Sequence, residues 1–424
     1  MLVAGAGVPY IVGAQTIAPN GPLTLEDAAR RAVEWHPSVQ QAIAQLKARG
    51  SDVDVAKAGY RPEINVGTSA GYDNLTGSRW RPRANISATQ MLYDFGKVSS
   101  TVAIAKAGTR ISAAEVLLAV DGLVRDTSYA IIEIQRNAAL HQIAMEQIET
   151  IRGISQLVDQ RFQRGAATRS DAIQAVARVQ SAQATMEQIE AEQRRWNSNL
   201  AHLLGQVTAP AVSTDMPERL LHACEQGEPD WDNIPAMMQI AGARDQAKAE
   251  LDLSRAEGLP TVSVGAGASG DVNDPFSRRA EYNFGLNVSH SLYRGGANRA
   301  RTQGAAYSLG AADAAEAGVR NEVSRQLSEA QRQVDSLGQV VTTLSARQDS
   351  MQETGMLYRL QYLEMGTRTL VDLLNAQQEL HQVRFQLANV RHDLRRLNID
   401  CLFTAGQERD AFRLSGMVVE GVAL

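Results

Sequence analysis

The spacing of apolar residues changes period several times along this chain. From Leu25 to about Ala58 the pattern predicts helix, entered at Thr24 with Asp27 three residues on in a variant capping box, and interrupted at His36-Pro37. The period then drops to two. Ile64, Val66, Ala70 and Tyr72 oppose Asn65, Gly67, Ser69 and Gly71, and Ala84, Ile86, Ala88 and Leu92 oppose Asn85, Ser87 and Thr89. From Lys97 to about Gln163 helical spacing returns, with Val116, Val120, Leu123, Val124 and Ile131 in phase. One helix of that length spans roughly 100 Å. It must be stacked into a coiled coil or a wall, because it cannot fold into a compact domain.

The whole pattern then occurs a second time. Helix ends at Gly258-Leu259-Pro260. Val262, Val264, Ala266 and Ala268 oppose Ser263, Gly265 and Gly267, and Tyr282, Phe284, Leu286, Val288 and Leu292 oppose Asn283, Gly285, Asn287, Ser289 and Ser291. Ala297 to about Leu363 repeats the long helix. Pro62 and Pro260 are 198 apart, Gly96 and Gly296 200, and Gly165 and Gly366 201. A duplicated unit of strands and very long helices points to a channel rather than to an enzyme. The expected organisation is an N-terminal tail over 1–22 and a first repeat over 23–205, with strands at about 62–73 and 83–93. A linker covers 206–233. A second repeat follows over 234–403, with strands at about 260–270 and 281–293, and a loose tail over 404–424.

Each strand is about ten residues long, enough to cross an outer-membrane hydrocarbon band when tilted. Tyr72, Trp80, Tyr93, Tyr282 and Tyr293 fall near strand ends, where interfacial aromatic girdles sit. A soluble sheet with one buried face would also alternate, but here the second face is small and polar, as a water-filled lumen requires. Four strands cannot close a membrane barrel, and open edges are not tolerated in lipid. Other copies must complete it. Two copies give eight strands and a filled interior; three give twelve and room for a channel.

Composition narrows the alternatives. Aromatics are only 5% of 424 residues and the formal net charge is −5 with no basic block, so nucleic acid is not an expected partner. The stretch Leu2–Gln15 has the apolar core of an export signal, with a small-residue cleavage site at Val12-Gly13-Ala14. No run of 18 apolar residues predicts a transmembrane helix. The two cysteines, Cys224 and Cys401, fall near the ends of the two repeats. They either pair in an oxidising periplasm or are two unrelated small apolar residues.

Two segments match at the far ends of the long helices. Gly366-Thr367-Arg368-Thr369-Leu370-Val371-Asp372-Leu373-Leu374-Asn375-Ala376 has the first-repeat partner Gly165-Ala166-Ala167-Thr168-Arg169-Ser170-Asp171-Ala172-Ile173-Gln174-Ala175. With the duplicated order, the Pro before each strand pair and the Tyr-x-x-Gly closures, the chain resembles the TolC family of outer-membrane export channels from about Leu23 to about Leu402. The resemblance implies a mainly α fold with a membrane β-barrel portion. Three copies would form a twelve-stranded barrel continuous with a long α-helical periplasmic tunnel. It also implies docking to an inner-membrane transporter through a periplasmic adaptor, and contact with outer-membrane lipid.

By motif match Asp372 would face the lumen at a closed tunnel tip, with Asn375 one turn on where relatives often carry a second carboxylate. A ring of three carboxylates favours cations. The plainer reading is that Asp372 is a helix-start residue favoured by the dipole. Arg368 matches the family arginine that bridges to the neighbouring coiled coil, with Ser170 and Asp171 as its partners. Such a pair is worth ~0.2–1 kcal/mol, weak enough for a gate. Gly165 and Gly366 make the helix-tip turns. An aromatic belongs three residues before each Gly; Phe162 occupies that place in the first repeat, whereas the second has Leu363 there and Tyr362 one place earlier.

No catalytic, cofactor or metal site is expected. Gly265-Ala266-Gly267-Ala268-Ser269-Gly270 fits a dinucleotide fingerprint, but the required helix does not follow it. The seven histidines are scattered singly. The expected function is a passive export duct. The cargo is read as an unfolded polypeptide of type I protein secretion, with small-molecule efflux as the alternative and a periplasmic coiled-coil adaptor as a more distant one. The first-repeat tip, the segment after Leu402 and the absence of a lipid-attachment Cys lean towards secretion.

Overall fold

A computed structural model describes residues 21–73, 79–225, 229–271 and 281–424. The export-signal stretch and the N-terminal tail up to residue 20 lie outside the described residues. The described chain opens with α1 (Leu25–Trp35) and α2 (Pro37–Ala58). Thr24 caps α1 by accepting the Asp27 N–H at 3.2 Å. His36 ends α1 and starts α2, where Pro37 takes the first helical position and gives up an N–H that would be unpaired anyway.

Next come β1 (Glu63–Asp73), β2 (Arg79–Tyr93), α3 (Lys97–Gln163, 67 residues) and α4 (Arg169–Leu203, 35 residues). The connection between the repeats carries α5 (Glu218–Leu221) and a 3₁₀ turn (Ala223–Glu225). The second repeat is α6 (Pro235–Ala256), β3 (Thr261–Asp271), β4 (Glu281–Ser289), α7 (Ala297–Leu360, 64 residues) and α8 (Leu370–Thr404, 35 residues). Helices α3 and α4 form one coiled coil and α7 and α8 a second, and α3 also packs along α8.

The strands form one antiparallel sheet in the order β1-β2-β3-β4, so each repeat pairs with the other through β2 and β3. Lys97 secures that junction, donating to Leu259 O at 2.8 Å and Thr261 Oγ1 at 2.7 Å. Two bounds differ from the sequence expectation. Strand β2 begins at Arg79 rather than about 83, because its pairing with β1 continues through Pro82, opposite Ala70, as far as Arg79, opposite Asp73. Strand β4 ends at Ser289 rather than 293, because Ser289 already faces Thr261, the first residue of β3, and Pro260 before it has no N–H to offer.

One face of the sheet is apolar and bare: Val66 is 76% exposed and Phe284 81%. The other is small and polar, with a cross-strand device that both repeats share. Asn85 lies across Gly67, and Asn283 across Gly267, so that a Cβ on either glycine would meet the amide oxygen at 2.9 Å and 2.4 Å. The glycines are there because the asparagines need their space.

The main core sits around the middle of α3. Val116, Val120, Leu123, Val124 and Ile131 are buried there against α1, α2, the end of α4 and the end of α8. The segment after Thr404 joins this core and is not the loose tail expected. Gly406, at φ 70°, turns the chain against Asn233 and Ile234 so closely that no Cβ fits. Then α9 (Glu408–Ala411) leads to a hairpin of β5 (Val418–Val419) and β6 (Val422–Ala423), and Phe412 and Leu414 are fully buried. Two apolar residues spaced two apart among charges carry no period, so the sequence pattern did not reveal the packing. The connection between the repeats is anchored too. Leu23 pairs with Val212, and Cys224 is disulfide-bonded to Cys401 with their Cα atoms 5.2 Å apart.

Candidate gate at the turns of the long helices

Each long helix ends in a left-handed glycine, Gly165 at φ 74° and Gly366 at φ 63°. In the first repeat the turn is closed by Ala166 N–H donating to Arg161 O at 2.7 Å, five residues back. In the second the equivalent bond runs from Thr367 N–H to Gln361 O at 3.2 Å, six residues back. The additional residue is held in a π turn over Gln361–Met365. It also accounts for the growth of the repeat offset from 200 to 201. Counted from the start of its own helix, Tyr362 therefore stands where Phe162 does. The two differ in setting: Tyr362 is buried, whereas Phe162 is exposed.

The return helices start in identical fashion. Thr168 and Thr369 are N-caps, and Asp171 and Asp372 complete reciprocal capping boxes. Asp372 Oδ2 accepts the Thr369 hydroxyl at 2.9 Å and the Thr369 N–H at 3.2 Å. Those two donors, with Arg368 nearby, hold its carboxyl below the usual range, so it is ionised at neutral pH. Asp171 accepts from Thr168 in the same way at 2.8 and 3.0 Å, and Ser170 bonds the Thr168 hydroxyl at 2.7 Å. Both aspartates thus have the plain helix-start role, whatever else their exposed charge does.

Arg368 does not reach Ser170 or Asp171 within one chain. Its guanidinium stacks on the Tyr358 ring, 4.5 Å from the centroid, and donates to Gln361 Oε1 at 3.2 Å, all inside the second helical hairpin. Contacts between the two coiled coils at this end come from two arginines that sequence reasoning missed. Arg161 lies over the Tyr362 ring at 4.9 Å and donates to Tyr362 O at 3.3 Å. Arg178 donates to Asn375 Oδ1 at 3.3 Å and to Gln378 Oε1. Burial pushes the Tyr362 hydroxyl up, and Asp171 adds to the shift against the pull of Arg161. The available signal for Arg178 was its place two turns beyond Asp171, on the same helix face.

Beneath the turns lies a small apolar cluster of Ile154, Val158, Ala175, Leu370, Leu373 and Leu374 around Tyr362. Among the described residues no group of three or more His, Cys, Asp or Glu side chains is placed to hold a metal ion. What the arrangement offers is two helical hairpins joined by a small buried apolar cluster and by the arginine contacts around it, with a carboxylate at the start of each return helix.

The family model described as outer membrane efflux protein matches this chain twice, over residues 28–206 and 232–400. Protein CyaE of Bordetella pertussis is 26% identical over 303 residues, covering 67% of this chain and 63% of CyaE. Outer membrane efflux protein BepC of Brucella suis is 24% identical over 392 residues, 88% of this chain and 82% of BepC. Alkaline protease secretion protein AprF of Pseudomonas aeruginosa is 26% identical over 266 residues, 59% of this chain and 54% of AprF. Among solved structures, CusC aligns with a TM-score of 0.79 at 18% identity, over 90% of this chain and 91% of that one. VceC of Vibrio cholerae gives 0.79 at 17% identity, over 90% and 96%. These two likenesses concern the fold.

Proposed function

The chain belongs to the outer membrane efflux protein family, whose members are outer-membrane channels rather than enzymes, and from that membership we propose a closed-tip duct made of three copies. The observation that carries this reading is the sheet. Strands β1 and β4 are its open edges, and its apolar face is bare. In lipid, unpaired edges cost several kcal/mol for each backbone group left unsatisfied, on the order of a whole protein's stability for one strand. Neighbouring copies remove that cost, and twelve strands leave a lumen where eight would be filled. Helix α7 supports the same assembly: of its 64 residues only Val323 and Gly355 are buried, so most of its surface is available to a neighbour or to the duct.

In this reading each repeat, 23–205 and 234–403, supplies one strand pair and one coiled coil. Asp372 forms the carboxylate ring at the tip with Asn375 beside it, and Arg368 reaches the neighbouring protomer's Ser170 and Asp171. A periplasmic adaptor and an inner-membrane transporter dock at the tip. The cargo is an unfolded polypeptide. AprF, an alkaline protease secretion protein with 26% identity to this chain, favours that cargo. The second reading, small-molecule efflux, is favoured by BepC, whose similarity extends over 88% of this chain.

Deleting the gene separates the two. Loss of one or more large extracellular proteins supports secretion. Unchanged secretion with raised sensitivity to drugs refutes it in favour of efflux.

A further inference from the structure

The seam between the two repeats of one chain is a template for the seam between two chains. At the foot of the sheet β2 runs past the start of β1. Glu63 pairs with Thr89, whereas Gln90, Met91 and Tyr93 pair with Val264, Ser263 and Val262 of β3, across an irregularity between Met91 and Tyr93. The duplication puts β4 in the place of β2. Gly96 and Gly296 are 200 apart, so residues 290–293 correspond to 90–93. Yet β3 is used up at Ser289, which faces Thr261, and residues 290–293 are not strand. Leu292 is left 89% exposed and Tyr293 85%. The strand that would take them is the counterpart of β3, which is β1, and within one chain β1 is the far edge of the sheet. Only a second copy can supply it. With all three pairings antiparallel, β4 of one copy and β1 of the next also meet antiparallel, head to tail.

The offsets carry the β2–β3 register over to that seam. Pro62 and Pro260 are 198 apart, and β1 and β3 start one residue after them. Ser87 opposite Gly267 thus becomes Asn287 opposite the next copy's Ser69, and Tyr93 opposite Val262 becomes Tyr293 opposite the next copy's Ile64. The chemistry at the foot changes between the two seams. Within the chain, Lys97 donates to Leu259 O and Thr261 Oγ1, and Asp94 caps α3 by accepting the Gly96 N–H at 3.0 Å and the Val98 N–H at 2.6 Å. In the second repeat Ala297 stands for Lys97 and Arg294 for Asp94, and Glu63 is the counterpart of Thr261. Arg294 is exposed at the start of α7, where the helix dipole disfavours a cation, and it donates to Ser291 Oγ at 2.9 Å. Glu63 is exposed as the first residue of β1. The carried-over register sets these two opposite charges beside each other.

We propose that Arg294 of one copy and Glu63 of the next form an ion pair that closes each copy-to-copy seam at the foot of the sheet, in the register that places Asn287 opposite Ser69. The inference rests on the three-copy reading and adds to it the residues that hold one copy to the next. The two kinds of seam then respond differently to salt. The seam within the chain is closed by Lys97 on neutral acceptors, whereas the seam between copies is ionic, exposed and screened. Ring assembly is salt-sensitive where the fold of each chain is not.

The test uses the full-length protein in detergent. Paired cysteines read the register, because opposed residues of an antiparallel pair have Cα atoms about 4.5–5.5 Å apart, within disulfide reach. The two native cysteines are already bonded to each other. On oxidation Asn287→Cys/Ser69→Cys should give reducible dimers and trimers, and Asn287→Cys/Gly71→Cys, one rung away on the same face, far fewer. If the asparagine–glycine devices set the register instead of the foot, Asn287 falls opposite the next copy's Asn65. Cross-linking of Asn287→Cys/Asn65→Cys in place of the first pair would therefore overturn the register and the ion pair together. Arg294→Ala is expected to raise the trimer dissociation constant about ten- to a hundredfold, from about two- to fivefold for one exposed ion pair at each of three seams. It should also remove most of the salt dependence of assembly. Arg294→Glu/Glu63→Arg should restore the trimer that either single reversal weakens. A salt dependence that is the same with and without Arg294, or a charge exchange that rescues nothing, overturns the ion pair. In those cases a trimer of unchanged mass leaves the three-copy reading standing. A monomer in every form, with no cross-link from any pair, overturns both.

Discussion

Arg409 places its guanidinium 2.5 Å from the Asp121 carboxylate, with both groups buried, and so attaches the C-terminal segment to the middle of α3. A second nitrogen of the same guanidinium donates to Asn233 O at 3.0 Å. Removing one partner of a buried ion pair leaves the other charge uncompensated, at about 3–5 kcal/mol. Arg409→Ala is therefore expected to lower the denaturation midpoint sharply and to expose residues after Thr404 to protease. A midpoint within error of the unmodified protein would contradict the docking role.

Glu408, next to that pair, is fully buried, and neither carboxylate oxygen has a hydrogen-bond partner. Burial, with Asp121 and Asp400 nearby, pushes its carboxyl well above the ordinary value of 4.5, and burial raises Asp121 to about 6 against the pull of Arg409. An acid that holds its proton more tightly when folded loses stability as pH rises from its unfolded value towards its folded one. Glu408→Gln should therefore stabilise the protein at pH 8 and have little effect near pH 4. Unfolding midpoints of both proteins across that range check the sign; a pH-independent difference would be the wrong result.

The buried histidines of α8 act in the opposite direction. Burial brings His381 and His392 down to about 4, with Arg384 adding to the effect at His381 and its Glu146 partner opposing it. A base whose folded value lies below its unfolded one costs stability as pH falls from about 6.5 towards 4. His381→Gln is expected to flatten the acid limb of the stability profile and to leave pH 8 nearly unchanged. An unaltered acid limb would show that His381 does not titrate with unfolding.

The Cys224–Cys401 disulfide closes a loop of 177 residues and ties the connection between the repeats to the end of α8. Cross-links over long loops contribute about 2–4 kcal/mol. Either single Cys→Ser variant should lose that amount in denaturant. Adding reductant should lower the unmodified protein by a similar amount and leave the variants where they are. Reductant acting equally on all three would place the effect elsewhere.

In the sheet, Gly267→Leu forces a side chain into the space taken by the Asn283 amide, an overpacking worth about 1–3 kcal/mol. The unfolding midpoint and the yield of folded protein should fall, and Asn283→Gly in the same chain should restore them. Failure of that rescue would mean that the glycine serves something other than its cross-strand neighbour.

Much of the architecture was legible because it is periodic. Strand alternation and the long α3 and α7 are carried by many residues in phase, such as Val116, Val120 and Val124, and the duplication repeats each signal. The parts missed depend on single residues acting at a distance. Phe412 and Leu414 make no pattern yet fill the core, and Arg409 finds a partner 288 residues away. At the tip, the glycine turns and both aspartates were visible as a local motif. Arg161 and Arg178 were not, because what matters is which helix each faces. The π turn was visible only as one unit in the repeat offset, which gave Tyr362 a shifted position until the hydrogen bond from Thr367 to Gln361 explained it.

The most direct measurement is single-channel conductance of the detergent-purified protein in a planar bilayer, with and without the double change Arg368→Ala/Asp372→Ala. A closed-tip duct predicts a small, cation-selective conductance that rises in the variant and loses selectivity as the carboxylate ring is removed. A water-soluble monomer or dimer with no conductance in either form would contradict it, and the alternating segments would then belong to a periplasmic adaptor.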